Sequence, residues 1–165
     1  MIILNILTID STEFVIMNER KGGDLYMYKQ IVVAMDFSEP SKLAFERASD
    51  LAAATGAALT VVSVIDNRST TSVATYDMKY AEQLKGELTE QLQVAKEKAN
   101  AKGVDNVKTV VEVGSPKIIL TSFDEADLIV CGATGLNAAE RLFIGSISET
   151  VVRRAACDVL IVRAA

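Results

Sequence analysis

The chain of 165 residues contains no histidine. This absence excludes metal sites built from imidazole, catalysis by Ser-His-Asp or Cys-His arrangements, and the side chain that most often serves as a general base at neutral pH. Any chemistry in this protein must therefore be carried out by carboxylates, hydroxyls, lysines or a bound metal.

Cysteine is nearly absent as well. The sequence has Cys131 and Cys157, and two cysteines do not make a disulfide framework. In the strand order derived below they fall at opposite ends of parallel strands, which argues against a bridge between them. We therefore expect reduced thiols and a cytoplasmic protein.

Positive charge and long apolar runs are also scarce. The net charge of −5 argues against a nucleic-acid partner, which would need a clustered basic surface. No apolar run approaches the ~20 residues that span a bilayer. The first residues lack the basic region and the small-residue cleavage site of a signal peptide. We expect no membrane partner and no signal peptide.

From residue 30 onward, apolar β-branched runs alternate with helical patterns. Strands are predicted at 31–35, 59–65, 107–113, 128–131 and 159–162, and helices at 43–54, 77–102, from 116, and 147–156. Strands that are apolar on both faces and separated by helices require a parallel sheet covered on both sides. With right-handed crossovers, this predicts a doubly wound α/β domain with a five-stranded sheet in the order 3-2-1-4-5 and helices on both faces.

Several residues indicate where the helices begin and end. Ser38 is a plausible N-cap of the first helix, with Pro40 in its first turn, and Gly56 stands where a C-terminal glycine belongs. Ser146 and Glu149 have the spacing of a capping box at the start of the last helix.

A glycine pattern near the C-terminus is the most informative feature of the sequence. Gly132, Gly135, Gly145 and Ser146 form Gly-x2-Gly-x9-Gly-Ser between a predicted strand and a predicted helix. Glycines permit positive φ and the close approach of a ligand, and a helix N-terminus adds partial positive charge. The pattern predicts a phosphate site, with a nucleotide as its ligand.

The predicted topology leads to the same place. In the order 3-2-1-4-5, the switch point lies between strands one and four, where ligands of such sheets bind. The glycine pattern follows strand four, and Asp36 follows strand one. A carboxylate there can accept hydrogen bonds from ribose hydroxyls, while backbone amides donate to phosphate.

Residues 1–28 do not fit this scheme and are interpreted as an N-terminal extension to a domain at 29–165. One interpretation is an extra strand or arm that pairs with a sheet edge or with a second subunit. The alternative is that the native protein starts at Met27, because the preceding Lys-Gly-Gly can be encoded by a purine run that resembles a bacterial ribosome-binding site.

The chain resembles the universal stress proteins over about residues 28–163. The resemblance rests on the glycine pattern, on the end of strand one (Val33-Ala34-Met35-Asp36-Phe37-Ser38-Glu39) and on the end of strand two (Val62-Ser63-Val64-Ile65-Asp66). It implies an adenine nucleotide alpha-hydrolase-like fold. Members of this family that carry the glycine pattern bind ATP, so the resemblance places the chain in that subgroup.

The resemblance also implies roles for individual residues. It puts Asp36 near the ribose and the backbone of Val64 beside the adenine, with Ala34 and Cys131 lining the pocket. Ribose and phosphates would be held by the remaining implied residues, which are Gly132, Gly135, Gly145, Ser146 and the backbone of Ile147. The implied ligand is ATP, or ADP or AMP, with Mg²⁺ or Mn²⁺ at the phosphates.

One position departs from the family pattern. Many members have a basic residue or a histidine between the first two glycines, where this chain has Thr134. Without that cation, we expect weaker triphosphate binding or a greater need for Mg²⁺, and stronger competition from AMP or ADP. Lys42, Arg68 and Arg141 are alternative sources of positive charge.

Simpler interpretations remain open for the same residues. The glycines could make only a tight turn, Ser146 could be only a helix cap, and Asp36 could form only an Asx turn. Cys131 is interpreted as a small core residue, because no base is available to activate it.

The leading functional hypothesis is a nucleotide-responsive regulatory or binding module. The alternatives are a slow ATP hydrolase, for which no water-orienting group is evident, and a nucleotide-independent interaction protein with a vestigial glycine loop. The resemblance also implies a homodimer through residues 159–162, an apolar strand that would otherwise leave an exposed sheet edge.

Overall fold

The structure, a computed structural model, describes residues 4–9, 12–17, 28–66, 74–134 and 144–163. The strands are β1 (Leu4–Ile9), β2 (Thr12–Met17), β3 (Gln30–Ala34), β4 (Ala58–Ile65), β5 (Val107–Val113), β6 (Leu128–Gly132) and β7 (Asp158–Val162). The helices are α1 (Glu39–Thr55), α2 (Ala74–Ala101), α3 (Pro116–Ile119) and α4 (Ser146–Arg154).

Five of the strands form one parallel sheet in the order β5-β4-β3-β6-β7. This confirms the predicted order 3-2-1-4-5. In the register of the central strands, Val33 pairs with Val61 of β4 and with Val130 of β6. The carboxyl ends of β3, β4 and β6 therefore lie side by side at the predicted switch point.

Both faces of the sheet are covered. Ile31 and Val33 of β3 belong to one buried cluster, together with Phe45 of α1 and Leu92 of α2. The intervening Val32 belongs to a second cluster on the other face, which includes Leu120, next to α3, and Val151 of α4. Successive side chains of a strand point to opposite faces, so strands that are apolar throughout need this double cover.

The predicted capping residues of α1 are confirmed, and the helix begins at Glu39, before the predicted start at residue 43. The Ser38 hydroxyl oxygen accepts a hydrogen bond from the Ser41 N–H at 3.3 Å, and Pro40 lies in the first turn. At the other end, Gly56 adopts the left-handed conformation with φ 71°, and its N–H donates to the Ala52 carbonyl. A residue with a side chain would be strained at that φ.

At the amino edge of the sheet, side chains fix the start of β3. The Asp127 carboxylate accepts hydrogen bonds from the backbone N–H groups of Lys29 and Gln30, both at 2.9 Å. Beside them, the Tyr28 hydroxyl donates to Asp158 at 3.0 Å. These contacts lie opposite the switch point and stabilise the sheet without entering the predicted site.

The N-terminal strands form a separate unit. β1 and β2 pair antiparallel as a two-stranded sheet, with Ile6 opposite Val15. β2 lies next to β7, the edge strand of the large sheet. Among the helices that the structure describes, none is both long and apolar enough to cross a bilayer.

Candidate functional site

A cleft of about 630 Å³ opens at the carboxyl ends of β3, β4 and β6. Its walls come from the strand ends, the first turn of α1, α3 and the residue that follows it, and the start of α4. The lining residues are Ala34, Met35, Asp36, Ser41, Val62, Val64, Asp66, Pro116, Leu120, Cys131, Gly132, Thr134, Gly145, Ser146, Ile147 and Ser148.

The structure brings eight of the nine predicted site residues to this cleft. They are Ala34, Asp36, Val64, Cys131, Gly132, Gly145, Ser146 and Ile147. Gly135 lies outside the described residues, as do Arg68 and Arg141. Lys42 is not among the lining residues, and its ammonium instead pairs with Glu39 at 2.7 Å.

The chemical character of the cleft changes from one side to the other. Beside β4 and α3 the lining is mainly apolar, with Val62, Val64, Pro116 and Leu120, and Asp66 follows the end of β4. In the middle, Asp36 follows β3. Beside β6 and α4 the lining includes Cys131 and Ile147, the two glycines and the hydroxyl residues Thr134, Ser146 and Ser148. Across neighbouring strands the cleft thus offers an apolar slot with Asp66 at its end, the Asp36 carboxylate, and backbone and hydroxyl groups.

Asp36 is held in a tight turn at the end of β3. Its Oδ1 accepts hydrogen bonds from the Ser38 backbone N–H at 3.0 Å and from the Ser38 hydroxyl at 2.5 Å. Phe37, between them, has φ 62°, a conformation that L-residues rarely adopt. The turn is therefore an Asx turn that occupies Oδ1, and the exposed Asp36 side chain lines the cleft.

The start of α4 differs from the prediction. Its N-cap is Gly145, in an extended conformation with φ −62° and ψ 152°, and no side chain of the described residues caps the helix. Ser146 is the first helical residue, so the predicted capping box with Glu149 is wrong. A tertiary contact fixes the observed cap, since the Gly145 N–H donates to the Ala133 carbonyl at 2.7 Å.

Gly132 serves helix packing. A Cβ on Gly132 would lie 2.8 Å from the carbonyl carbon of Pro40 and 2.9 Å from the backbone nitrogen of Ser41. Its missing side chain therefore lets the first turn of α1 approach the end of β6. Neither Gly132 nor Gly145 has a positive φ, so the freedom of glycine to adopt positive φ is not used at these two positions.

Ser148 was missed by the sequence analysis. Its side chain is buried, and its hydroxyl donates to the Gly132 carbonyl at 2.7 Å, which ties α4 to β6. The available signal was its spacing from Val151, since residues three apart share a helix face and Val151 is fully buried.

Several other lining residues also went unpredicted. Val62 and Asp66 alternate with the predicted Val64 along β4 and just beyond it, so the period of two could have indicated both. Pro116 and Leu120 follow β5, and only the packing of α3 against the sheet brings them to the cleft. Ser41 reaches it because α1 passes so close to Gly132.

The cysteine at the cleft is buried. Burial of Cys131 raises the pKa of its thiol to about 12, and the charge of Cys157 contributes in the same direction. Neither cysteine is in a disulfide, in agreement with the prediction. A thiol that stays protonated at neutral pH is a poor nucleophile, so the interpretation of Cys131 as a core residue is confirmed.

Within the part of the chain that the structure describes, no group of three or more acidic or cysteine side chains could hold a metal ion. Asp36 and Asp66 are the charged side chains among the described lining residues. A cation at this cleft would therefore depend on ligand oxygens as well as on the protein.

Comparison with known proteins gives a consistent result. The model of the universal stress protein family matches residues 27–163. A protein of Staphylococcus saprophyticus that carries the universal stress protein name is 46% identical over 140 residues, which cover 82% of this chain and 84% of that protein. A protein of Staphylococcus haemolyticus with the same family name is 45% identical over 140 residues, which cover 82% of this chain and 85% of that protein.

Solved structures agree with these relatives. A universal stress protein from Lactobacillus plantarum is 29% identical, with a TM-score of 0.73, and the match covers 84% of this chain and all of that one. A universal stress protein in complex with cAMP is 28% identical, with a TM-score of 0.64, and the match covers 84% of this chain and 98% of that one.

Proposed function

The chain belongs to the universal stress protein family, and on that premise we propose that its cleft binds an adenine nucleotide, with ATP as the leading candidate. In this proposal, the protein acts as a nucleotide-responsive regulatory or binding module in the stress response.

The observation that carries the proposal is the order of chemical groups across three neighbouring strands. An apolar slot at β4 and α3 suits the faces of a purine base. The Asp36 carboxylate, one strand further, suits a pair of ribose hydroxyls. The uncapped start of α4, beyond β6, suits a phosphate. Base, ribose and phosphate follow one another in the same order in a nucleotide.

The two helix starts at the cleft differ in a way that supports this assignment. The N-terminus of α1 is satisfied by its own Ser38 cap. At α4 the first backbone N–H groups have no side-chain cap within the described residues. Such donors carry partial positive charge and favour an anionic ligand.

The relative solved with cAMP supports a nucleotide as the class of ligand, and it broadens the candidates to ADP, AMP and cyclic nucleotides. Mg²⁺ or Mn²⁺ would accompany a di- or triphosphate. We also propose a homodimer through β7 and a cytoplasmic location, where thiols outside disulfides are the norm.

The first experiment identifies the ligand directly. The protein is purified without added nucleotide and denatured, and the released small molecules are identified by mass. ATP or ADP at close to one per chain would support the proposal. If nothing is released, calorimetric titration with ATP, ADP, AMP and cAMP follows, and no binding of any of them would refute the proposal.

A matched pair of variants then tests the site. Asp36→Asn keeps an oxygen acceptor for Ser38 but removes the charge and replaces the other carboxylate oxygen with a donor, so ATP affinity should fall by about tenfold or more. Asp124→Asn is the control, because Asp124 is exposed and does not line the cleft. Equal affinities for the two variants would remove Asp36 from the proposed site.

A further inference from the structure

We propose that Ser148 is a positioning residue, which holds the start of α4 in the orientation that its backbone N–H groups need to receive a phosphate. The inference rests on the proposed nucleotide site and assigns Ser148 to its phosphate end. Ser148 itself acts through the protein backbone.

The contact that carries the inference joins the cleft wall to the helix. Ser148 is 6% exposed, and its hydroxyl donates to the carbonyl of Gly132 at 2.7 Å. Gly132 is the last residue of β6, and Ser148 is the third residue of α4. One buried hydrogen bond therefore fixes the first turn of the helix against the strand from which the glycine pattern departs.

Two backbone hydrogen bonds act at the same place. The Gly145 N–H donates to the Ala133 carbonyl at 2.7 Å, and the Ala133 N–H donates to the Val162 carbonyl at 2.7 Å. The chain thus leaves β6 and returns to α4 at one anchored point. Among these contacts the bond from Ser148 depends on a side chain, so it can be removed by substitution.

The helix needs this anchor because it has no side-chain cap among the described residues. A capped helix, such as α1, has its first N–H groups ordered by its own sequence. At α4 the direction of these groups depends on how the helix is attached to the sheet. A phosphate benefits from donors that are already oriented, because it then does not have to order them on binding.

A positioning role of this kind affects only the ligands that carry a phosphate. Removal of the Ser148 hydroxyl should weaken the binding of ATP and AMP and leave adenosine binding nearly unchanged, since base and ribose lie at β4 and β3. A purely structural role would weaken all three ligands together or none of them.

The experiment is calorimetric titration of the full chain and of Ser148→Ala with ATP, AMP and adenosine. We expect the affinity ratio of AMP to adenosine to fall by about tenfold in the variant, which is the effect of one lost buried hydrogen bond. Ser148→Thr retains the hydroxyl and should restore most of the ratio. If Ser148→Ala does not fold, Ser148→Cys, a weak donor of similar size, replaces it.

Ser49→Ala is the matched control. Ser49 is another buried serine, and its hydroxyl donates to the Phe45 carbonyl at 2.8 Å within α1, but it does not line the cleft. It should leave the AMP to adenosine ratio unchanged. An unchanged ratio in Ser148→Ala would refute the positioning role alone. A wild-type chain that binds none of these three ligands and neither ADP nor cAMP would refute the proposed function, and the positioning role with it.

Discussion

Gly132 has a packing role that can be separated from any role in binding. Gly132→Ala would place a Cβ 2.8 Å from the backbone of Pro40, and backbone cannot move aside as a flexible side chain can. We expect α1 to be displaced and the free energy of unfolding to fall by about 1–3 kcal/mol, as in overpacked cores. Urea denaturation of the ligand-free protein measures this loss.

Gly145→Ala is the control for that substitution. A Cβ on Gly145 would lie 3.4 Å from the Ala133 carbonyl oxygen, and φ is −62°, which alanine adopts readily. Its stability should stay close to that of the wild type. If Gly132→Ala is as stable as Gly145→Ala, the packing role of Gly132 is wrong.

The two thiols should react very differently with a disulfide reagent such as dithionitrobenzoate. Cys157 is partly exposed and should react first, while Cys131 is buried. Because the pKa of Cys131 is raised to about 12, its thiol stays protonated through pH 9, and a rise from pH 7 to 9 should not bring its rate near that of Cys157. The Cys157→Ser variant isolates the slow thiol, and rapid labelling of that variant at pH 7 would contradict this account.

At the scale of elements, one substitution at the start of α4 should raise the stability of the protein and weaken its binding of ATP. Gly145→Asp would place a carboxylate at the N-cap, where it can accept a hydrogen bond from the first turn and interact favourably with the helix dipole. We expect the free energy of unfolding to rise by about 0.3–1 kcal/mol, a few tenths from the cap and the rest from the helix dipole. The same carboxylate would repel a phosphate, so ATP affinity should fall by about tenfold or more.

Thermal unfolding and calorimetric titration of Gly145→Asp and Gly145→Ala separate these effects, since the alanine variant adds no charge. Equal ATP affinities for the two variants would mean that no phosphate approaches the start of α4.

The elements show what a sequence can and cannot predict. The cap of α1 was predictable because Ser38, Pro40 and Gly56 act on their own neighbours. The cap of α4 was predicted one residue too late, at Ser146, and the observed cap Gly145 is bonded to the Ala133 carbonyl, which is distant in sequence. Local signals identify local structure, and they do not report tertiary hydrogen bonds.

The same division applies to the cleft. The glycine pattern and Asp36 indicated the carboxyl ends of the strands as the location of the cleft, because the strand order alone brings the ends of β3 and β6 together. Ser41, Pro116 and Ser148 reach the cleft through the packing of helices on the sheet. No spacing along the chain encodes that packing directly.

At the scale of the whole molecule, charge makes a prediction about metal dependence. The net charge is −5, and the charged side chains among the described lining residues are Asp36 and Asp66. ATP would add further negative charge to this cleft, so a divalent cation should assist it. We expect chelation of Mg²⁺ by EDTA to weaken ATP binding by about tenfold or more and AMP binding much less. Titration of both ligands with and without Mg²⁺ tests this, and equal losses for ATP and AMP would contradict it.

Assembly is the second property of the whole molecule. β7 is the edge of the large sheet, and β2 lies next to it. If a second copy pairs with β7, it must displace the two-stranded sheet of β1 and β2 or share the β7 edge with it. We therefore expect a chain that begins at Met27 to dimerise more strongly than the full chain. Sedimentation velocity of both at micromolar concentration measures the difference, and a full chain that dimerises equally well would contradict it.

The close packing of Gly132 against Pro40 has an evolutionary consequence. A position that is required by the fold is under selection even in a descendant that no longer uses its ligand. Gly145 has more room, so a descendant that lost its ligand would be free to change it. When family members diverge, retention of a glycine at the position of Gly132 therefore says little about whether ligand binding is retained. Retention or loss of the glycine at the position of Gly145 says much more.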